Sequence, residues 1–508
     1  GQSITHGMQI SIMKAFGNFS VENGGAIFRA EPAVRGAIAN RALAKFGKRF
    51  PADPASIAHC TIGGITANNS SGMNSGVVWN PYHTIQEAKY ILPDGTQIDS
   101  CPAAPNNIRS IRPDLAKGLI DLRQRTIANP TLVNEIRSKF AIKNTIGLPI
   151  NAFVDFATAD EIALHLLTGS EGILAFISDT AYSTIPLRQI RFCGLLFFRH
   201  LSAAVAALEP MKAIEAVFAL ELMDFNSLQS VSGASVMPFG NSEVPEGCCA
   251  VLFEYSSDSA EEIESAKTEV GALIHKFDLV REPIVANDVK EMDSIWQIRN
   301  GLLPSLGKNR PKRTAAIIED VAFPHESLVP AINQLRELLD RFGFQQSGIY
   351  GHGLDGNVHF IIAQEFSSNE LISNYSRFND ELSELILRFG GSLKAEHGTG
   401  RAMAEYVAKH WSAEAYSLML DTKKLFDPRG ILNPGVIFPD VSLESSIKIK
   451  SYPELGNEAD YCIECGFCES TCPSRDLSLT PRKRIRMARE ISTGQNQDLY
   501  KRFVYEGM

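Results

Sequence analysis

Four cysteines within eleven residues, Cys462-x-x-Cys465-x-x-Cys468-x-x-x-Cys472-Pro473, constrain this chain more than any other feature. Two-residue spacers let successive thiolates turn toward one centre, and soft thiolate ligands suit an iron–sulfur cluster. The alternative is a structural zinc site, although zinc favours paired C-x-x-C knuckles set some distance apart. The other five cysteines, Cys60, Cys101, Cys193, Cys248 and Cys249, are scattered. This distribution argues against a disulfide framework and for a metal centre in a reducing compartment, which points to the cytoplasm.

At 508 residues the chain exceeds what one core usually fills, so two to four domains are expected. A net charge of −9 with no basic domain gives no reason to expect nucleic-acid binding. No run reaches the roughly 18–20 apolar residues of a membrane span. The apolar stretch Leu201–Met223 is interrupted by Glu209, Lys212, Glu215 and Glu221, and reads as a helix followed by a strand. Any membrane contact is therefore expected to be peripheral, on the inner face of the cell membrane. The basic stretch Arg482-Lys483-Arg484-Ile485-Arg486 is a candidate for anionic lipid or an acidic partner; the alternative is a solvated helix face.

From Arg191 to Gln364 strands alternate with helices. Strands are expected over Phe192–His200, Ala250–Tyr255, Ala315–Phe323 and Val358–Ala363, and helices over Ser259–Phe277, Ser327–Phe342 and Asn369–Phe389. Ser257 to Ser259 offer N-caps for the first of these helices. Asp427-Pro428-Arg429-Gly430 and Asn433-Pro434-Gly435 are stop signals. Residues 441–457 read as a polar linker, and the cysteine run follows.

Two loop systems carry further chemistry. The first is Asp53-Pro54-Ala55-Ser56 followed by Gly63-Gly64-Ile65-Thr66-Ala67-Asn68-Asn69-Ser70-Ser71-Gly72, with Lys143-Asn144-Thr145-Ile146-Gly147 and Gly169-Ser170-Glu171-Gly172-Ile173 further on. Small residues let backbone N–H groups approach a phosphate, although a Gly-rich surface loop is equally consistent. No nicotinamide fingerprint or Walker loop is present. The second system is Gly351-His352-Gly353-Leu354-Asp355-Gly356-Asn357-Val358-His359 with Lys394-Ala395-Glu396-His397-Gly398. Two imidazoles across a Gly-rich turn, with a carboxylate from elsewhere, make a divalent-metal site with open positions. Histidines near glycine turns also arise by chance.

From Gly1 to about Pro439 these segments resemble the FAD-linked oxidase family with the vanillyl-alcohol-oxidase type of fold, in its D-lactate and D-2-hydroxyglutarate dehydrogenase branch. The resemblance implies that the segments holding Pro54, Ser56, Gly63, Gly64, Asn68, Asn69, Ser70, Gly72, Lys143, Asn144, Thr145, Gly147, Gly169, Ser170, Glu171 and Gly172 surround FAD. It implies that His352, His359 and Glu396 hold zinc or manganese, that His397 takes the substrate hydroxyl proton, and that Arg299 anchors the substrate carboxylate. Arg313 is a weaker candidate for that anchor, and Arg299 also reads as an arginine at a helix end. Asn433 lies in a tail that returns to the flavin domain and either reaches the site or only forms a turn. The chain departs from the family pattern at Ile173 (usually Thr), Ala175 (usually Gly), and Asn74 and Ser75 (often Cys in near relatives). The family's first phosphate loop would precede Gly1-Gln2.

The cysteine spacing is that of the bacterial ferredoxin run, in which the fourth cysteine often serves a second cluster. No second run follows before Met508, so the chain is expected to be cut at both ends, or one 4Fe-4S cluster takes all four thiolates. The expected architecture is α+β: a flavin-binding domain over 1–193, a substrate domain over 194–440 whose last part folds back on the first, a linker over 441–457 and a helical ferredoxin-like segment over 458–508. The implied function is FAD-dependent oxidation of a D-2-hydroxy acid, with electrons leaving through the cluster to a quinone or cytochrome. Glycolate oxidation is one alternative. A non-catalytic electron-transfer or assembly fragment without flavin is another.

Overall fold

The computed structural model describes residues 8, 10–13, 15–233, 244–440, 453–456, 458–466, 468–469, 471–474 and 477–492. Gly1 and Gln2, and residues 441–452 and 457 of the expected linker, lie outside the described residues. The first part of the chain supplies short strands: β1 (Phe19–Glu22), β2 (Ile27–Ala30), β3 (Ile85–Ile91), β4 (Gln97–Asp99) and β5 (Phe176–Ser183). They pair in the order β1-β2-β5-β3-β4, every neighbour antiparallel. The glycine-rich stretch Ile62–Asn68 is a short helix, α1, started by the Thr61 side chain accepting from the Gly64 N–H and ended by Asn69 in a left-handed conformation.

Between Phe192 and Phe198 every side chain but Gly194 is apolar, so a strand there has no polar face to give to water. Leaving either face bare would forfeit roughly 1.5–3 kcal/mol for each large side chain. Two or three such losses equal a large part of a net stability on the order of 5–15 kcal/mol. The strand is accordingly covered on both sides. Phe192, Leu196 and Phe198 enter one core, and Cys193, Leu195 and Phe197 enter another with Ile295, Ile298 and Leu302 of helix α2 (Val289–Lys308).

This strand is β6 (Ile190–Phe198), and β7 (Val217–Met223), β8 (Cys249–Ser257), β9 (Ile284–Ala286), β10 (Ala315–Ala322), β11 (Ile349–His352) and β12 (Asn357–Gln364) complete a seven-stranded antiparallel sheet. Its order is β9-β6-β8-β7-β11-β12-β10. β6 starts at Ile190 and belongs wholly to this sheet. The helix over Ala260–Ile274 is capped by Ser259, and that over Asn369–Arg388 by Ser368. The later helix Ala413–Phe426 returns to the first domain. A Cβ on Gly118 of helix Pro113–Ile127 would meet Leu425 at 2.6 Å, so the two helices touch there. Among the described residues no helix is long and apolar enough to cross a membrane.

Candidate active site

Strand register assembles the histidines. His352 on β11 lies opposite Glu221 on β7 and Asn357 on β12, while His359 on β12 lies opposite Tyr350 and Asp320. Directly paired residues share a face of the sheet, and residues two apart keep that face. Glu221, His352, Asn357, Tyr350, His359 and Asp320 therefore stand together on one face. The β11–β12 turn closes tightly enough that a Cβ on Gly356 (φ +62°) would meet the Phe323 carbonyl at 2.2 Å, so only glycine fits there.

His352 Nε2 lies 3.1 Å from His359 Nε2, and Glu396 Oε1 lies 3.4 Å and 3.5 Å from these two nitrogens. Ligands about 2.1 Å from one metal ion stand about 3.0–3.4 Å apart in octahedral or tetrahedral geometry, so the three donors fit a divalent ion. Each imidazole is backed by a carboxylate, with His352 Nδ1 2.6 Å from Glu221 Oε1 and His359 Nδ1 3.3 Å from Asp320 Oδ1. The hydrogen bond to Glu221 fixes His352 in the orientation that leaves Nε2 facing His359, whereas His359 Nδ1 approaches Asp320 without a hydrogen bond. Burial alone would push His352 down, but the Glu221 carboxylate more than offsets it and holds His352 at about 9. Burial pushes His359 down to about 3. The two Nε2 atoms therefore differ in basicity although they face one another at 3.1 Å.

Glu396 presents a single oxygen to the histidines. Its Oε2 accepts from Ser71 Oγ (2.9 Å), the Gly72 N–H (2.9 Å) and Lys143 Nζ (3.3 Å), leaving Oε1 to face inward. Lys143 is itself buried, and its ammonium also reaches Gly72 O (2.7 Å), Asp355 Oδ2 (3.1 Å) and Asn357 Oδ1 (3.4 Å). Every backbone N–H from Ala395 to Gly400 ends on a side-chain oxygen. Asp320 Oδ2 accepts from residues 395, 396 and 397 at 3.0, 2.6 and 2.9 Å. Thr145 Oγ1 accepts from Gly398 at 3.1 Å, and the Glu171 carboxylate accepts from Thr399 at 2.6 Å and Gly400 at 2.9 Å.

His397 is exposed, unlike its neighbours, and its ring stacks on that of His359 with centroids 5.1 Å apart. One of its ring nitrogens lies within 4.8 Å of ligand atoms on Asp320, His359 and Glu396. The Asp320 oxygens are already taken by three N–H groups and by Asn357 Nδ2, so we assign Asp320 to support rather than ligation. Arg299, on α2, is 5% exposed and directs Nε to Glu221 Oε2, with its guanidinium 4.7 Å above the Tyr350 ring. Among the described residues its two Nη nitrogens make no hydrogen bond. Arg313 pairs with Glu365 instead, beyond the end of β12 remote from the histidines.

The expected flavin loops meet around the same place. Gly169 N–H donates to Thr66 O and Glu171 N–H to Ala67 O, while Asn68 Nδ2 donates to His397 O (3.3 Å) and Asn433 Nδ2 to Glu171 O (2.7 Å). A Cβ on Gly172 (φ +73°) or Gly400 (φ +59°) would meet no heavy atom nearer than 4.0 Å, so both face open space beside Asn68, His397 and Asn433. This open, glycine-walled edge fits the flat ring of a flavin. Other expected flavin residues turn inward. Asn144 bonds Ile146 and Ser392, Gly147 bonds Thr399, Ser170 bonds Leu167, and Gly63 packs on Pro32. Asn69 takes the Tyr82 N–H, Ser70 N–H bonds Ile65, and Pro54 and Ser56 build the turn through Cys60. Gly64 belongs to the first turn of α1.

Residues 1–100 match the family described as FAD binding domain, and residues 189–437 match FAD linked oxidases, C-terminal domain. The chain is thus similar to FAD-linked oxidases over two separate stretches. D-2-hydroxyglutarate dehydrogenase of Haemophilus influenzae is 23% identical over 501 residues, covering 89% of this chain and 48% of that protein. D-lactate dehydrogenase of Archaeoglobus fulgidus is 28% identical over 282 residues, covering 54% of this chain and 57% of that protein. The chain thus spans about half the length of these curated relatives. Among solved structures, alkyldihydroxyacetonephosphate synthase superposes with a TM-score of 0.53 at 14% identity, covering 83% of this chain and 66% of that one, a likeness of fold.

The cysteine segment packs on the end of α2. Arg310 donates to the carbonyls of Asp460 (2.7 Å) and Tyr461 (2.9 Å), and Ile463 rests against Gly307. Arg489, from the helix Pro481–Ser492, donates to the carbonyls of Ala459 and Cys462 at 3.0 Å. Two cations of the basic stretch engage this segment, Arg482 pairing with Glu469 and Arg484 reaching Ser474 and Ser478, while Lys483 is exposed and Arg486 pairs with Glu490. Cys462 and Cys472 are half-buried, and Cys465 and Cys468 are exposed. No three of the four thiols lie within 4.8 Å of one another among the described residues.

Proposed function

We propose that the chain oxidises a D-2-hydroxy acid, D-lactate or D-2-hydroxyglutarate, to the 2-oxo acid, with FAD as hydride acceptor and an iron–sulfur centre as electron exit. The reading rests on one observation: two imidazole nitrogens and one carboxylate oxygen, 3.1–3.5 Å apart, beside an exposed histidine and a buried arginine. When bound, zinc or manganese at His352, His359 and Glu396 lowers the pKa of the substrate hydroxyl, and FAD accepts the hydride from C2. Arg299 holds the substrate carboxylate with its two Nη nitrogens, kept in one orientation by Glu221 and the Tyr350 ring. His397 takes the hydroxyl proton on a ring nitrogen and, being exposed, passes it to water. Glycolate shares the same carboxylate and hydroxyl head and is the alternative substrate. A purely electron-carrying role is disfavoured, since such a protein needs no base beside a metal site.

Cys462, Cys465, Cys468 and Cys472 would hold a 4Fe-4S cluster that hands electrons singly to a quinone or cytochrome. Cys465→Ser is expected to remove the broad visible absorbance and most of the bound iron while D-lactate or D-2-hydroxyglutarate still bleaches the flavin. Loss of bleaching in a folded Cys465→Ser variant would make the cysteine segment part of the oxidising site instead. Absence of bleaching in the wild type would refute the dehydrogenase reading itself.

A further inference from the structure

We propose that Glu171 is a positioning residue for His397: its carboxylate holds the far side of the 395–400 loop, and protonating it frees that side. The inference rests on the reading of His397 as the base, but the latch itself stands on geometry. Glu171 Oε1 accepts from the Thr399 N–H (2.6 Å) and both oxygens approach the Gly400 N–H (3.1 and 2.9 Å). Gly398 (φ +81°) passes so close that a Cβ there would meet the Glu171 Cδ at 3.0 Å. Glu171 is fixed in turn, since Asn433 Nδ2 donates to its carbonyl.

The loop is gripped by two carboxylates of unlike character. Asp320 holds residues 395 to 397 through three N–H bonds to Oδ2. Burial raises Glu171 to about 7, against the two N–H groups and the Lys394 ammonium, and the Arg401 guanidinium also interacts with it. Thr145, the third acceptor, does not titrate. The sign follows. Below about pH 7 Glu171 is protonated and one oxygen becomes a donor, so the bonds to Thr399 and Gly400 weaken while those to Asp320 persist. Above it the whole loop is held, and His397 with it.

Amide hydrogen exchange on the full-length holoprotein tests this between pH 5.5 and 8.5, corrected for intrinsic exchange. Protection of the amides of Thr399 and Gly400 is expected to fall several-fold on going from pH 8 to pH 6, while that of residues 395–397 holds. Glu171→Gln keeps an acceptor oxygen but cannot titrate, so its protection should be level across the range. Equal pH dependence in Glu171→Gln and wild type, or a flat wild-type profile, would overturn the latch. Glu171→Gln should also shift the acid limb of substrate-driven flavin reduction to lower pH; an unmoved limb counts against positioning. If no hydroxy acid reduces the flavin, the exchange measurement still decides the latch, so the two failures are distinguishable.

Discussion

His397→Ala is expected to slow flavin reduction by a D-2-hydroxy acid by about 10²–10⁴-fold, the usual worth of a positioned general base. Bound metal should stay near the wild-type level. The three donor atoms are set by β-strand register and by the donors around Glu396 Oε2, none of which involves the His397 ring. Its ring stacks on that of His359, beside the three proposed ligands. Metal content by elemental analysis and stopped-flow absorbance separate the two effects. Reduction at the wild-type rate would assign the proton to another group. Loss of metal together with activity would mean that His397 is a ligand.

Lys143→Met is expected to cost about 3–5 kcal/mol of stability, because it leaves the buried carboxylates of Glu396 and Asp355 without their shared cation. The loss should be largest in chelator. A divalent ion at His352, His359 and Glu396 returns positive charge to the same carboxylate, so zinc or manganese should raise the variant's unfolding midpoint by more than it raises the wild type's. Thermal unfolding of both proteins, with and without metal, makes the comparison. An unchanged midpoint for Lys143→Met in chelator would show that Lys143 does not balance the pair.

Strands β6, β8, β10 and β12 were legible within a few residues because their apolar runs are long and end at serine caps or turn residues. Strand β11 was not. Four residues containing Gly351 give too short a pattern, and the strand exists because it pairs with β7 and β12. The helix α2 was hidden by Gly301 and Pro304, which break its apolar period. Within the site, His352, His359, Glu396 and His397 stood out through their glycine-bound spacing. Glu221 did not, although a single acid in the apolar run Phe218–Met223 was the available signal; only the fold reveals that it faces His352 and Arg299. Lys143 illustrates the same limit. It lies in a loop resembling a flavin contact, yet its side chain turns inward to oxygens from residues 72, 355, 357 and 396, a convergence that no local pattern encodes.

Anaerobic titration of the metal-loaded, flavin-bound protein with D-lactate and then D-2-hydroxyglutarate, followed by visible absorbance, tests the central claim most directly. The site predicts stoichiometric bleaching of the flavin by one of these acids and not by its L-enantiomer, with the bleaching lost in chelator and restored by zinc or manganese. An oxidised flavin that neither acid bleaches, with metal and flavin both bound, would contradict the account.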